Sequence, residues 1–262
     1  MTDWLDICRR AVADVERVLG EMPPAERERA VGIGEGGDET SAIDEAAERV
    51  VVARLDAAGG DFTLVSEELG IRPARDGGTT HVVVDPIDGS INAKRGIPFF
   101  SLSIAVADGP TMGDVRFGYV YDFGAKEEWF AEREGGAQLN DVELSAPPRE
   151  HIELLSMEAT RTDLVAQHVQ PFVPVARRIR VMGSLALSLC HLAAGRVDAV
   201  CSLKEARSVD IAAGQLLVGE TGGWVDLLDG SLSEAPLDLE GRSRVVAARS
   251  REHYEQVAAA LR

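Results

Sequence analysis

Lysine is nearly missing from this chain: Lys94, Lys126 and Lys204 are the only lysines among 27 basic residues, and the rest are arginines. Positive charge as a whole is outnumbered by 44 acids, leaving a formal net charge of −17 at pH 7. Such a chain is a poor partner for nucleic acid or an anionic membrane surface. Ordinary solubility and adaptation to high salt both account for the acidity. The scarcity of lysine favours the second, for which a melting point rising in molar KCl is the check, although a GC-rich genome also trades lysine for arginine. No apolar run approaches the roughly 18 residues of a membrane span. The first ten residues carry acids and a Trp rather than a basic stretch followed by an apolar one, so no secretory signal is expected. Cysteine is limited to Cys8, Cys190 and Cys201, each in an apolar pattern without metal-type spacing. That pattern predicts buried free thiols in a reducing cytoplasm.

Hydrophobic residues make up 45 % of 262, enough for a sizeable core in one large domain or two tightly joined halves. Residues 3–19 follow a helical period. Residues 21–40 are polar, then Gly-rich, and read as a mobile loop. A second amphipathic helix starts near Ser41 and is stopped by Gly59-Gly60. Short β-rich runs at 62–66 and 81–85 precede a predicted antiparallel meander at 101–107, 115–121 and 128–132. Beyond Ser145-Ala146-Pro147-Pro148, strand-like runs at 154–157, 178–181, 197–201, 223–227 and 244–248 alternate with helical patterns at 161–170, 184–194, 207–220 and 250–261. The expected halves are therefore 1–147, α+β, and 148–262, α/β. No flexible linker marks the junction, so they should share an interface, and such clefts bind ligands.

The chemistry concentrates at Val84-Asp85-Pro86-Ile87-Asp88-Gly89-Ser90. A buried strand ends in a carboxylate, Pro86 cannot continue the ladder, and Gly89-Ser90 opens a helical turn. Two hard oxygen donors suited to Mg²⁺ thus stand beside backbone N–H groups suited to phosphate. In isolation the same pattern is equally a capped turn with a surface Asp. Elsewhere Thr63–Ser66 ends in Glu67-Glu68, while Asp44 and Asp210 each lie at a helix start, where a cap is the plain reading. Gly183-Ser184 precedes an apolar helix in the same way. Gly32-Ile33-Gly34-Glu35-Gly36-Gly37 fits G-x-G-x-x-G, but it follows a polar loop rather than a strand, so a flexible lid is expected there and not a dinucleotide site.

Taken in order, Asp44, Glu67-Glu68, Asp85-Pro-Ile-Asp88-Gly-Ser90, Gly183-Ser184 and Asp210-Ile-Ala-Ala-Gly resemble the inositol monophosphatase superfamily. The stretch from Asp85 to Ile104 is most similar to its archaeal inositol monophosphatase/fructose-1,6-bisphosphatase branch. The resemblance implies a layered αβαβα sandwich with an antiparallel N-terminal sheet and a mixed C-terminal α/β half, a homodimer, and two or three Mg²⁺ ions per site, for which Mn²⁺ can substitute. It implies that Glu67, Asp85 and the Ile87 carbonyl hold a first ion, that Asp85, Asp88 and Asp210 hold a second, and that Glu67 supports a third. The N–H groups of Gly89 and Ser90 would hold the phosphate, and Asp44 with the Ser90 hydroxyl would orient the attacking water. Gly183-Ser184 would face the substrate hydroxyls. Neutralised phosphoryl oxygens and an acidified water then suffice for hydrolysis without a covalent intermediate.

The expected substrate is a small phosphorylated metabolite. Fructose-1,6-bisphosphate comes first; inositol-1-phosphate is a second activity or the main alternative, and a 3′(2′),5′-bisphosphate nucleotide is a third option. A second phosphate needs cations in the cleft wall, for which Lys94, Arg95, Arg180, Lys204 and Arg207 are candidates. The resemblance implies an acid a few residues before Asp210 that binds inositol hydroxyls; Cys201–Val209 departs from that pattern, with Glu205 as the candidate stand-in, which weighs against inositol as the main substrate. A non-catalytic metal-binding relative would have lost a ligand, and every expected ligand is present.

Overall fold

Asp3 caps the first helix: its Oδ1 accepts the Asp6 N–H at 3.1 Å, and the stripe Ile7, Cys8, Ala11, Val12, Val15 is buried beneath it. In a computed structural model, which describes every residue except Met1, Gly36, Asp38 and Thr160, this helix is α1 (Trp4–Glu21). It is followed by α2 (Pro24–Arg27), β1 (Ala30–Ile33), β2 (Glu39–Ser41) and α3 (Ala42–Ala58). Residues 30–33 and 39–41 pair as an antiparallel ribbon within the segment 21–40, which composition reads as a mobile loop. Gly32 and Ile33 lie within β1, so the Gly-rich motif begins on a strand of the ribbon rather than after one; its Gly36 falls outside the described residues.

An eight-stranded sheet follows, built from β3 (Phe62–Ser66), β4 (Gly70–Ala74), β5 (His81–Asp88), β6 (Ser101–Ala107), β7 (Val115–Asp122), β8 (Glu127–Glu132), β9 (Gly136–Leu139) and β10 (Val142–Glu143), with α4 (Ser90–Arg95) after β5. Its spatial order is β10-β9-β8-β7-β6-β5-β3-β4, antiparallel except for the β3–β5 pair. The second sheet has the order β12-β11-β13-β15-β14. Its strands are β11 (Leu154–Glu158), β12 (Arg178–Arg180), β13 (Ala199–Ser202), β14 (Trp224–Leu227) and β15 (Val245–Ala248), interleaved with α5 (Thr162–His168), α6 (Leu185–Ala193), α7 (Ser208–Glu220) and α8 (Arg251–Leu261). Parallel β12-β11-β13 pairing with antiparallel β15 and β14 makes this sheet mixed.

The layers alternate as helix, sheet, helix, sheet, helix. Helices α1 and α3 cover one face of the large sheet, α6 and α7 fill the space between the sheets, and α8 covers the far side of the second. All seven residues of β6 are buried, as a central strand covered on both faces requires. The contact between α7 and the large sheet depends on Gly118 of β7. A side chain there would put its Cβ 2.8 Å from the Ala213 carbonyl oxygen, so α7 reaches this depth only against glycine. That contact seats α7 against the large sheet, and residues of both sheets share one apolar cluster with α6 and α7.

Candidate metal and phosphate site

A bulge in β5 starts the site. Asp85 pairs with Ser103 and Asp88 with Ser101, so one extra residue lies between them on β5. In a regular strand, residues three apart face opposite sides; the extra residue restores their parity. Asp85 and Asp88 consequently line the same cleft, a cavity of about 600 Å³ shared with Asp44, Glu67, Asp210 and Lys204. Asp85 is 2 % exposed, and its Oδ1 accepts the Ile87 N–H at 3.0 Å. The Ser90 hydroxyl donates to the Ile87 carbonyl at 3.0 Å, so two atoms with separate expected roles bond each other here. Gly89 caps α4 with φ +93°, and a Cβ there would lie 3.1 Å from both the Gly183 and Phe99 carbonyl oxygens.

The elements beyond residue 148 supply Ser184, the Ala186 N–H, Asp210 and Arg207. Ser184 caps α6, accepting the Leu187 N–H at 3.2 Å, while its own hydroxyl donates to Asp88 Oδ2 at 2.6 Å. The Ala186 N–H donates to the same oxygen at 2.7 Å. Asp210 is the third residue of α7, not its cap: Arg207 takes the cap position, and its main-chain N–H donates to Asp210 Oδ2 at 2.7 Å. The Arg207 side chain is buried, with Nη2 at 2.7 Å from Glu67 Oε1 and 3.0 Å from Asp210 Oδ1. Arg207 was expected to meet a distal phosphate; in the structure it neutralises two of the expected metal ligands instead.

Asp44 sits in a capping box at the start of α3, where Oδ2 accepts the Ser41 N–H at 3.1 Å and the Ser41 hydroxyl at 2.6 Å. Lys94 Nζ stands 3.3 Å from the same oxygen. Asp44 Oδ1 is buried without a hydrogen-bond partner among the described residues. Glu68, beside Glu67, accepts the Thr40 hydroxyl and so ties the ribbon to the acid pair. Lys204 and Glu205 line the cleft. Arg180 does not: it is exposed on β12 and its Nη1 donates to the Ile179 carbonyl at 3.0 Å, which corrects its placement among the substrate contacts. Arg95 likewise points away, 4.0 Å from Glu28.

One functional-looking residue escaped the sequence reading. Glu158 is 6 % exposed, and its carboxylate holds the Gly183 N–H at 2.8 Å and the Ser188 hydroxyl at 2.7 Å, fixing the turn that presents Ser184. The signal was available, because an apolar strand ending in an acid marks Glu67, Asp85 and Glu158 alike. Lys94 was weighed as a phosphate ligand; its place four residues after Ser90, on one helix face, aims it at the site and onto Asp44.

The electrostatics show an excess of negative charge. Burial raises the Asp85 carboxyl, and Glu67, Asp88 and Asp210 raise it further. Burial pushes Glu67 up to about 7 although Arg207 opposes the shift, and it pushes Asp88 up to about 7 against the Ser184 hydrogen bond. Four desolvated carboxylates, one peptide carbonyl and an unpartnered Asp44 oxygen form an all-oxygen donor set, which fits a hard divalent cation. As the side chains stand, no three His, Cys, Asp or Glu groups among the described residues converge on one ion position.

The comparisons with known proteins agree on one lineage. The model of the "Inositol monophosphatase family" matches residues 6–262. A protein of Methanothermobacter thermautotrophicus named fructose-1,6-bisphosphatase/inositol-1-monophosphatase is 33 % identical over 97 % of this chain and 95 % of its own. A protein of the same name from Archaeoglobus fulgidus is also 33 % identical, over 96 % of this chain and 95 % of its own. Among solved structures, a Pyrococcus horikoshii protein described as similar to inositol-1 monophosphatase superposes with a TM-score of 0.82 at 27 % identity, covering 98 % of this chain and 97 % of its own.

Proposed function

The chain belongs to the inositol monophosphatase family and is a phosphatase acting on sugar phosphates; on that premise we propose that it is a Mg²⁺-dependent fructose-1,6-bisphosphate 1-phosphatase with inositol-1-phosphate as a second substrate. The observation that carries the reading is the bulged strand end, which turns Asp85 and Asp88 into one cleft with Glu67 and Asp210 beside the first turn of α4. Glu67, Asp85 and the Ile87 carbonyl would hold one ion; Asp85, Asp88 and Asp210 would hold a second, and Glu67 would support a third. Mn²⁺ fits the same oxygen set. When bound, the metal neutralises the phosphoryl oxygens and acidifies the attacking water.

The chain's own residues do the rest. The N–H groups of Gly89 and Ser90, at the start of α4, orient the phosphate. Asp44, held by Ser41 and Lys94, and the Ser90 hydroxyl orient the water. Ser184 fixes the Asp88 carboxylate, and Gly183 stands on the cleft wall with Lys204 and Glu205, where the sugar hydroxyls and a distal phosphate would lie. Among the described residues no helix is long and apolar enough to cross a membrane. Three buried free cysteines support a cytoplasmic setting, and the family resemblance supports a homodimer.

Phosphate release from fructose-1,6-bisphosphate, inositol-1-phosphate and adenosine 3′,5′-bisphosphate, each with Mg²⁺ and with EDTA, tests the proposal. Mg²⁺-dependent turnover with the highest kcat/KM for the fructose ester is expected. Turnover that survives EDTA would overturn the metal reading, and preference for the nucleotide would overturn the substrate reading.

A further inference from the structure

Arg207 Nη2 bridges Glu67 Oε1 at 2.7 Å and Asp210 Oδ1 at 3.0 Å, and its Nε lies 3.3 Å from Asp210 Oδ2. The side chain is 6 % exposed; from the cap of α7 it meets Asp210 on its own helix and reaches Glu67 just past the end of β3. The proposed function, on which this inference rests, gives Glu67 to the first ion, with support to a third, and Asp210 to the second. Mg²⁺ takes its oxygens at about 2.0–2.1 Å in near-octahedral geometry. A guanidinium bonded to the same two oxygens draws on the lone pairs and the space that the ion would use, so ion and arginine compete there.

The energetic balance runs both ways. Without the arginine, Glu67, Asp85, Asp88 and Asp210 face one another in a desolvated basin, a costly arrangement. The guanidinium contributes one positive charge against two from each Mg²⁺, so it stabilises the basin only in part. We propose that Arg207 is an internal counter-ion that competes with Mg²⁺ for Glu67 and Asp210 and must leave when the metal enters. Because one side chain guards a ligand of each ion, the first ion bound carries the whole displacement and the second carries none. Mg²⁺ binding is therefore cooperative, and weaker than the acids alone would make it.

The main-chain cap, Arg207 N–H to Asp210, is independent of the side chain, so substitution leaves α7 capped. Arg207→Met keeps the apolar stem and removes the charge. Calorimetric titration of Mg²⁺ into EDTA-stripped and desalted protein, without substrate, is the test, paired with melting curves in EDTA. For Arg207→Met the expected result is Mg²⁺ affinity raised by about tenfold, a Hill coefficient falling to one, and a lower melting temperature in EDTA. Arg207→Lys, whose point charge cannot bridge both carboxylates, should fall between the two and covers the case in which the Met variant unfolds without metal. Variants that bind Mg²⁺ no more tightly than wild type, with its cooperativity intact, overturn the inference. A wild type that binds no Mg²⁺ overturns the metal reading itself, a separate and recognisable failure.

Discussion

Glu158 at the end of β11 and Asp85 near the end of β5 are buried carboxylates in the wall of one cleft, contributed by different sheets. Glu158 accepts the hydroxyls of Ser156 at 2.9 Å and Ser188 at 2.7 Å, with the main chain of Gly183 at 2.8 Å and of Met182 at 3.4 Å. Asp85 accepts one main-chain N–H and is surrounded by Glu67, Asp88 and Asp210. Burial is common to both and does not distinguish them. The donors do: a buried acid ringed by N–H and O–H groups is a structural fastener, whereas one ringed by other acids must take up a proton or a cation.

Removing the charge from each therefore has opposite consequences. Asp85→Asn is expected to lower turnover by about a thousandfold or more while raising the melting temperature in EDTA, because it relieves repulsion. Glu158→Gln should instead lower stability in EDTA and in Mg²⁺ alike, by about 1–3 kcal/mol for donors left poorly matched. Activity assays and melts of both variants decide the matter; if both fall in EDTA, the contrast is broken. A smaller effect sharpens it. Ser184 links the two environments, since it caps α6 beside the Glu158 turn and donates to Asp88. Ser184→Ala is expected to reduce activity or Mg²⁺ affinity by about 10–100-fold, as loss of a group that orients a metal ligand typically does, with fold retained by circular dichroism.

The smallest effect is in pH. Glu67 and Asp88 are pushed up to about 7 and Asp85 is raised, whereas the unfolded chain releases these protons near the ordinary carboxylate values of about 4. Between those values the folded state binds more protons, so stability falls as pH rises through the window. In EDTA the melting temperature should drop between pH 5 and 8, and Mg²⁺, which needs the deprotonated ligands, should restore more of it at pH 8 than at pH 5. Melting curves across that range check it, and a profile that Asp85→Asn leaves unchanged would assign the slope to other groups.

Much of the fold is legible in the chain because the signals are local. The Asp3 cap and its apolar stripe, the Gly59 stop and the all-buried β6 announce themselves within a few residues. The elements that escaped are edges and ribbons. Strand β4 holds Pro73 and alternates exposed with buried positions at the rim of the sheet, where proline is tolerated and no continuous apolar run is needed. The β1–β2 ribbon is mostly exposed, so composition reads as loop what register makes into strands.

The chain by itself determined a turn after Asp85 and the helix starts near Asp44, Ser184 and Asp210, because each depends on neighbours a few residues away, whereas the bulge that carries β5 on to Asp88 exists only in its register with β6. Tertiary structure alone decided what those groups meet. Arg207 finds Glu67 rather than a distal phosphate, and Arg180 misses the cleft, because α7 docks where Gly118 admits Ala213 and β12 lies at the edge of its sheet. A long cation's partner is set by which carboxylate packing brings within its reach, and residues 140 apart in sequence carry no local record of that distance.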